Sequence, residues 1–158
     1  MPDGREVLVH MCQVAVGRAG DVLRTTLGSC VGIGFLWREK GLYGLAHCLL
    51  PESPGPRQGI GAKYVTDAVP SLLALMRIRE TDVPQIEAVI AGGACMVQHQ
   101  QVPRHGMIGE QNAEVAQRLV AATGIRVIHV DVGGLAGRQL HIDCSQHRYL
   151  VKTIARSH

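Results

Sequence analysis

The chain has 158 residues, of which 46% are hydrophobic and 18% are charged, and this composition is typical of a soluble globular protein and excludes a disordered one. The formal net charge is only +3 and the basic residues are scattered, which argues against a nucleic-acid stripe or a polybasic membrane patch. No apolar run approaches the ~18 residues of a membrane span, and charges occur among the first ten residues, so we expect no signal peptide and a cytoplasmic location.

The first part of the chain is predicted to form β-strands. Alternating apolar residues predict one strand over 7–16 and a second over 22–26. The segment 31–37 predicts a third strand with unequal faces, since its odd-numbered residues are bulky whereas Gly32 and Gly34 leave the other face almost bare. Glycines in a strand indicate that another segment approaches closely.

The segment 42–50 predicts a fourth strand, which forms a hairpin with the third. A turn centred between Arg38 and Glu39 sets the two glycines against large side chains and places Cys30 opposite His47. Directly opposite residues have Cβ atoms about 4.5–5.5 Å apart, so this register predicts contact between the thiol and the imidazole.

A loop rich in Pro and Gly over 51–61 precedes helical spacing over 62–78. Pro70 interrupts that spacing, either as a kink or as the start of a second helix. A buried strand is expected over 86–91.

The strongest helix signals lie at 113–123, with Asn112 as the predicted N-cap and Gly124 after the end. The remaining apolar segments predict three strands, over 125–130, 138–143 and 148–154.

This element order predicts a single domain over residues 1–158, an α/β layered sandwich with a largely antiparallel sheet. A dinucleotide-binding fold is disfavoured because no GxGxxG follows a predicted strand. The glycines of 55–63 lack the Gly-Lys-Ser/Thr ending of a phosphate-binding loop.

Five cysteines without a CxxC motif indicate reduced thiols, and a free cysteine usually behaves as a small buried hydrophobe. Cys30 is a candidate exception, because a thiol needs a neighbouring base to act as a nucleophile and His47 could supply one. Backbone amides of the Gly28-Ser29 turn could hold an oxyanion, so the chemistry would be acyl transfer on an amide or ester. Spacing alone leaves open that Cys30 and His47 merely fill the core.

A metal site is the alternative for these residue types. Three local pairs occur, His10 with Cys12, His47 with Cys48, and Cys95 with His99. Their spacing is irregular and the knuckles of structural zinc sites are missing, so we predict no metal and no cofactor.

Several motifs match a known family in order along the chain. They are Thr25-Thr26-Leu27-Gly28-Ser29-Cys30-Val31, Ala46-His47, Lys63-Tyr64, Gly92-Gly93-Ala94, Ile108-Gly109 with Asn112, Asp131-Val132-Gly133-Gly134, and Gly137-Arg138. From about Val7 to Ile154 the chain thus resembles the CheD family of chemoreceptor glutamine deamidases.

The resemblance implies a cytoplasmic bacterial chemotaxis enzyme that hydrolyses glutamine side chains of methyl-accepting chemotaxis receptors to glutamate, releasing ammonia without a cofactor. It implies an α/β sandwich that toxin deamidases also use. The family's nucleophile falls on Cys30 and its base on His47, the pair that the predicted hairpin also indicates.

One position departs from the family pattern. The family's catalytic Thr aligns with Arg24, whereas Thr25 and Thr26 follow it. We take Thr25 as the residue that orients the base, with an ordinary strand Thr as the alternative.

The resemblance implies that His47 activates Cys30, that the thiolate attacks the glutamine carboxamide, and that water hydrolyses the resulting thioester. Two other functions stay open. The chain could act as a regulatory partner that docks on a CheC-type phosphatase, or as a methylesterase on receptor glutamate methyl esters.

Overall fold

The computed structural model describes residues 5–56, 59–95 and 107–154. The strands are β1 (Arg5–Leu8), β2 (Val14–Gly17), β3 (Asp21–Leu27), β4 (Val31–Trp37), β5 (Leu42–Cys48), β6 (Glu87–Gly92), β7 (Arg126–Val132), β8 (Gly137–Asp143) and β9 (Arg148–Ile154). The α-helices are α1 (Val65–Leu75) and α2 (Ile108–Thr123), and a 3-10 helix covers Glu80–Gln85. Within these described ranges, no helix combines the length and the apolar character needed to cross a bilayer.

The strands form two sheets that pack face to face. One sheet has the order β1-β3-β8-β9 and the other the order β2-β5-β4-β6-β7. Two neighbouring pairs, β1 with β3 and β6 with β7, are parallel, and the other pairs are antiparallel. The largely antiparallel α/β sandwich is therefore confirmed, although its division into two sheets was not predicted.

The five-stranded sheet is the middle layer, because α1 and α2 cover its other face. The bulky odd-numbered residues of β4 pack among the helices. On the bare face, a Cβ added at Gly32 would lie 2.9 Å from Leu27 Cδ1, and one at Gly34 would lie 2.8 Å from Ile142 Cδ1. The glycines of β4 thus let the four-stranded sheet approach closely.

The single strand predicted over 7–16 is wrong. The structure has two short strands in different sheets, since β1 pairs with β3 and β2 pairs with β5. Between them the chain crosses from one layer to the other through a turn, in which the Gln13 amide donates to the His10 carbonyl at 3.0 Å. Cys12 occupies the left-handed region there, with φ +72°, where glycine is the usual turn residue. The apolar alternation continues on both sides, so the pattern does not reveal the crossing.

The predicted hairpin is confirmed, but its register is wrong. Trp37 pairs with Leu42 next to the turn, so the loop is centred one residue later than predicted and Gly32, rather than Cys30, lies opposite His47. This two-residue shift preserves the face on which each side chain lies. Cys30 and His47 therefore share a face as diagonal neighbours, whose backbones are typically ~7–8 Å apart.

The helices differ from their predicted bounds. α1 runs through Pro70 as one helix, so no second helix starts there. α2 begins at Ile108 with Met107 as its N-cap, and the predicted N-cap Asn112 is wrong because that residue lies inside the helix and is 0% exposed. Gly124 ends α2 in the left-handed conformation at φ +86°, as predicted.

Gly92 is the glycine whose lack of a side chain matters most for the segment around Cys30. Its φ is +109°, and a Cβ there would collide with the carbonyl oxygen of Cys30. Gly20 has a similar φ of +97° but faces open space. An alanine at Gly92 would therefore suffer both backbone strain and a steric collision, whereas an alanine at Gly20 would suffer only the strain.

We expect Gly92→Ala to lower the free energy of unfolding by more than about 3 kcal/mol, because it adds a backbone collision to the left-handed strain. Gly20→Ala should cost only the strain, about 1–2 kcal/mol. Urea denaturation of both variants measures the difference. Equal losses would show that the segment around Cys30 yields freely and that Gly92 is an ordinary turn glycine.

Candidate active site

Cys30 lies in the short connection between β3 and β4 and is 5% exposed. The backbone around it is held by the turn that follows β6. The Gly93 amide donates to the Cys30 carbonyl at 2.8 Å, and the Ala94 amide donates to the Gly28 carbonyl at 3.0 Å. These bonds fix the segment 28–30 against β6.

Asn112 of α2 holds the third carbonyl of this segment. Its Nδ2 donates to the Ser29 carbonyl at 3.0 Å and to the Leu49 carbonyl, just beyond β5, at 3.1 Å. The predicted N-cap role was wrong, and the sequence did not lead us to predict that Asn112 binds these two carbonyls. The available signal was a polar residue on the helical stripe that Ala113, Val115 and Ala116 share in the buried face of α2.

The amides of Gly28, Ser29 and Cys30 donate to no acceptor among the described residues. Their carbonyls, by contrast, are all bound. Unpaired amides beside a thiol are the donors that an oxyanion requires. The geometry is thus compatible with the oxyanion-binding turn expected from the sequence.

His47 of β5 is 6% exposed and is anchored by Thr25 from the other sheet. Thr25 Oγ1 lies 2.7 Å from His47 Nδ1 and donates its only proton to the Val9 carbonyl at 2.6 Å. His47 Nδ1 must therefore carry a hydrogen and donate it to Thr25 Oγ1. This assigns the neutral imidazole the tautomer whose Nε2 is an unprotonated base.

His47 Nε2 has no hydrogen-bond partner among the described residues, so the thiol–imidazole contact predicted from the sequence is not a hydrogen bond in this structure. Nε2 is nevertheless unprotonated and can accept a proton. Burial lowers the pKa of His47, partly opposed by the Val9 carbonyl, and the nearby His10 lowers it further. Burial raises the pKa of the Cys30 thiol, and Cys12 adds to this effect. Both shifts favour a neutral thiol and a neutral imidazole over a preformed thiolate–imidazolium pair.

The structure distinguishes Thr25 from its neighbours Arg24 and Thr26. Arg24 forms an ion pair with Glu6 of β1, with Nη2 and Oε1 2.9 Å apart. Thr26 is exposed, whereas Thr25 is 3% exposed and contacts the imidazole. The position that aligns with the family's Thr thus faces away from His47, and the next residue contacts it.

Of the local pairs considered for a metal site, His10 with Cys12 and His47 with Cys48 lie within the described residues. Among residues 5–56, 59–95 and 107–154, no three His, Cys, Asp or Glu side chains form a group that would hold a metal ion. The Cys48 side chain lies in the helix-facing core cluster, whereas Cys30 lies in the cluster between the sheets. His99 lies outside the described residues.

A family model described as "CheD chemotactic sensory transduction" matches residues 49–153. That range does not include Cys30 and His47, whereas the matches to two relatives span nearly the whole chain. A Ruegeria sp. (strain TM1040) protein named "Probable chemoreceptor glutamine deamidase CheD 2" is 36% identical, covering 96% of this chain and 93% of its own. An Archaeoglobus fulgidus protein named "Probable chemoreceptor glutamine deamidase CheD" is 37% identical, covering 94% of each.

Among solved structures, the hypothetical protein YfiH from Bacillus licheniformis superimposes with a TM-score of 0.47 at 18% sequence identity, covering 75% of this chain and 49% of its own. The family model spans most of the chain, and the relatives span nearly all of it at more than 30% identity. The chain therefore belongs to the CheD family.

Proposed function

We propose that this chain is a cysteine-dependent protein-glutamine deamidase that converts glutamine side chains of methyl-accepting chemotaxis receptors to glutamate. Family membership and the names of the relatives support the reaction class and the receptor substrate. The observation that carries the assignment of residues is the state of His47, whose Nδ1 is anchored on Thr25 while its Nε2 is a free base on the face that also bears Cys30. A cytoplasmic location and docking on a CheC-type phosphatase belong to the proposal through family resemblance alone.

Because the resting thiol is neutral, His47 Nε2 takes the proton of Cys30 Sγ as Sγ attacks the glutamine carboxamide carbon. The carboxamide oxygen becomes an oxyanion beside the unpaired amides of segment 28–30. The imidazolium then returns the proton to the leaving nitrogen, so ammonia departs and a thioester forms. Water, deprotonated by the same Nε2, hydrolyses the thioester to glutamate and restores the thiol.

Cys30→Ala is expected to abolish deamidation, lowering kcat/KM by at least about 1,000-fold because it removes the sulfur that forms the thioester. The measurement is ammonia release, together with a mass gain of about 1 Da per site on receptor cytoplasmic fragments. Cys48→Ala is the matched control, since that buried thiol is next to His47 in sequence but lies in the helix-facing core. Full activity in Cys30→Ala would refute the proposed nucleophile.

The same assays separate the alternatives. A chain that acted only by docking on a CheC-type phosphatase would lose nothing on His47→Ala. A methylesterase would release methanol from methylated receptors, whereas a deamidase releases ammonia. The proposal requires that His47→Ala lose ammonia release.

The pH profile of kcat/KM should rise with an inflection below the usual histidine pKa of about 6.5, because only the neutral imidazole is a base and burial lowers the pKa of His47. The profile should then stay flat through neutral pH, because the thiol is not required to ionise before attack. Initial rates from pH 4.5 to pH 9 test this. A loss of activity above about pH 7 would instead indicate a preformed thiolate whose imidazolium partner must stay protonated.

Thr25→Val is expected to lower kcat about 10- to 100-fold with little change in KM, since it removes the acceptor that fixes the His47 tautomer and leaves the ring free to present a protonated Nε2. Thr25→Ser keeps the hydroxyl and should recover most of kcat. Thr26→Val, at the exposed neighbouring position, is the control. If Thr25→Val is as active as the control, Thr25 is an ordinary strand residue.

A further inference from the structure

Asn112 links the two chain segments that carry the proposed catalytic pair, the connection before β4 and the end of β5. A single Nδ2 donates to the carbonyl of Ser29, the residue before Cys30, and to the carbonyl of Leu49, two residues after His47. It reaches both from α2, where the residue is 0% exposed. One amide thus ties the nucleophile segment, the end of β5 and the helix layer together.

Core packing does not explain an asparagine at this position. Asn112 Oδ1 is buried and has no hydrogen-bond partner among the described residues. A buried acceptor without a partner destabilises the fold, and a leucine of similar volume would avoid that loss. The only described contribution of the polar end is therefore its donation to the two carbonyls.

The bond to Ser29 also sets the direction of the Cys30 amide. In a trans peptide the C=O of one residue and the N–H of the next point in opposite directions within one plane. With the Ser29 carbonyl directed at Asn112 on α2, the Cys30 N–H is directed away from α2. That N–H has no acceptor among the described residues, so it is available to an incoming oxygen.

We propose that Asn112 is a positioning residue that holds the Ser29-Cys30 peptide so that the Cys30 amide meets the developing oxyanion during acyl transfer. The inference rests on the proposed function for its substrate, but its geometry concerns any acyl transfer to Cys30. Asn112 acts through the peptide and does not touch the substrate. Its loss should therefore affect kcat rather than KM.

The test separates reactions that build an oxyanion from one that does not. Acylation of Cys30 by p-nitrophenyl acetate passes through an oxyanion, whereas alkylation by iodoacetamide is a direct displacement at carbon. Both reactions are measured on the full chain, with the Cys30→Ala background subtracted. Receptor deamidation is measured in parallel.

Asn112→Asp keeps the shape and removes the donors, and Asn112→Leu removes them without adding a buried charge. Both variants should lower the acylation rate and the deamidation kcat about 10- to 100-fold, because a misplaced oxyanion donor or reacting group costs that much. KM and the alkylation rate should change by less than about 3-fold. Should the Asp variant fail to fold, the Leu variant decides.

Val120→Ala is the matched control, because Val120 is also 0% exposed on α2 but lies about 12 Å further along the helix axis. It should lose stability without changing the ratio of acylation to alkylation. An unchanged ratio in the Asn112 variants, with both rates normal or both reduced, overturns the inference. Deamidation that persists in Cys30→Ala would instead refute the proposed function. The ratio of acylation to alkylation at Cys30 would still test the role of Asn112.

Discussion

The hydrogen bond between Thr25 Oγ1 and His47 Nδ1 joins the two sheets, and the chemistry proposed for this site depends on it. It forms only because β3 approaches the face of β4 and β5 closely. Gly32 permits that approach, since a Cβ there would lie within 2.9 Å of Leu27 on β3. The bare face of β4 thus permits the close contact between the sheets. That contact brings Thr25 to His47, and the resulting hydrogen bond fixes a single imidazole tautomer.

Burial acts on this site in two ways. It disfavours both charged forms, so the pKa of the thiol rises and the pKa of the imidazole falls. A buried thiolate-imidazolium pair would need further hydrogen bonds to offset desolvation, and His47 Nε2 has no partner among the described residues. Proton transfer during attack, rather than before it, is the chemistry that suits such a pair.

The sequence allowed the layered fold to be predicted, along with the face on which the candidate pair lies, because both depend on the alternation of side chains. It could not set the hairpin register. A shift of two residues keeps every side chain on its face, and turn chemistry at Gly41, with φ +65°, decides between the registers. Family resemblance indicated Cys30 and His47 independently of register, which is why the error left the pair intact.

Asn112 and the split between β1 and β2 escaped prediction for a different reason, since both depend on contacts between segments distant in sequence. Asn before a helical pattern is a strong N-cap signal, and only the partners at Ser29 and Leu49 reveal another role. The contact with His47 likewise falls one residue later than the family pattern indicates. The alternation of β3 directs Thr25 toward His47, whereas Arg24 pairs with Glu6. Local propensity predicts where helices and strands form. A residue that departs from its local preference, such as Asn112 inside a helix, is explained only by its contacts with distant segments.

Three such violations lie around the candidate site, whereas Arg77 and His147, which are also left-handed, lie elsewhere. His47 Nε2 and Asn112 Oδ1 are the buried side-chain N and O atoms left without a partner in the described part of the chain, and each costs about 1–3 kcal/mol of stability. Cys12, whose amide donates to the His47 carbonyl at 2.8 Å, adopts a left-handed conformation that costs a further ~1–2 kcal/mol. A fold optimised for stability alone would relieve these strains by substitution. Their position on both sides of Cys30 therefore argues that this corner, where both sheets and α2 meet, is kept for chemistry rather than for packing.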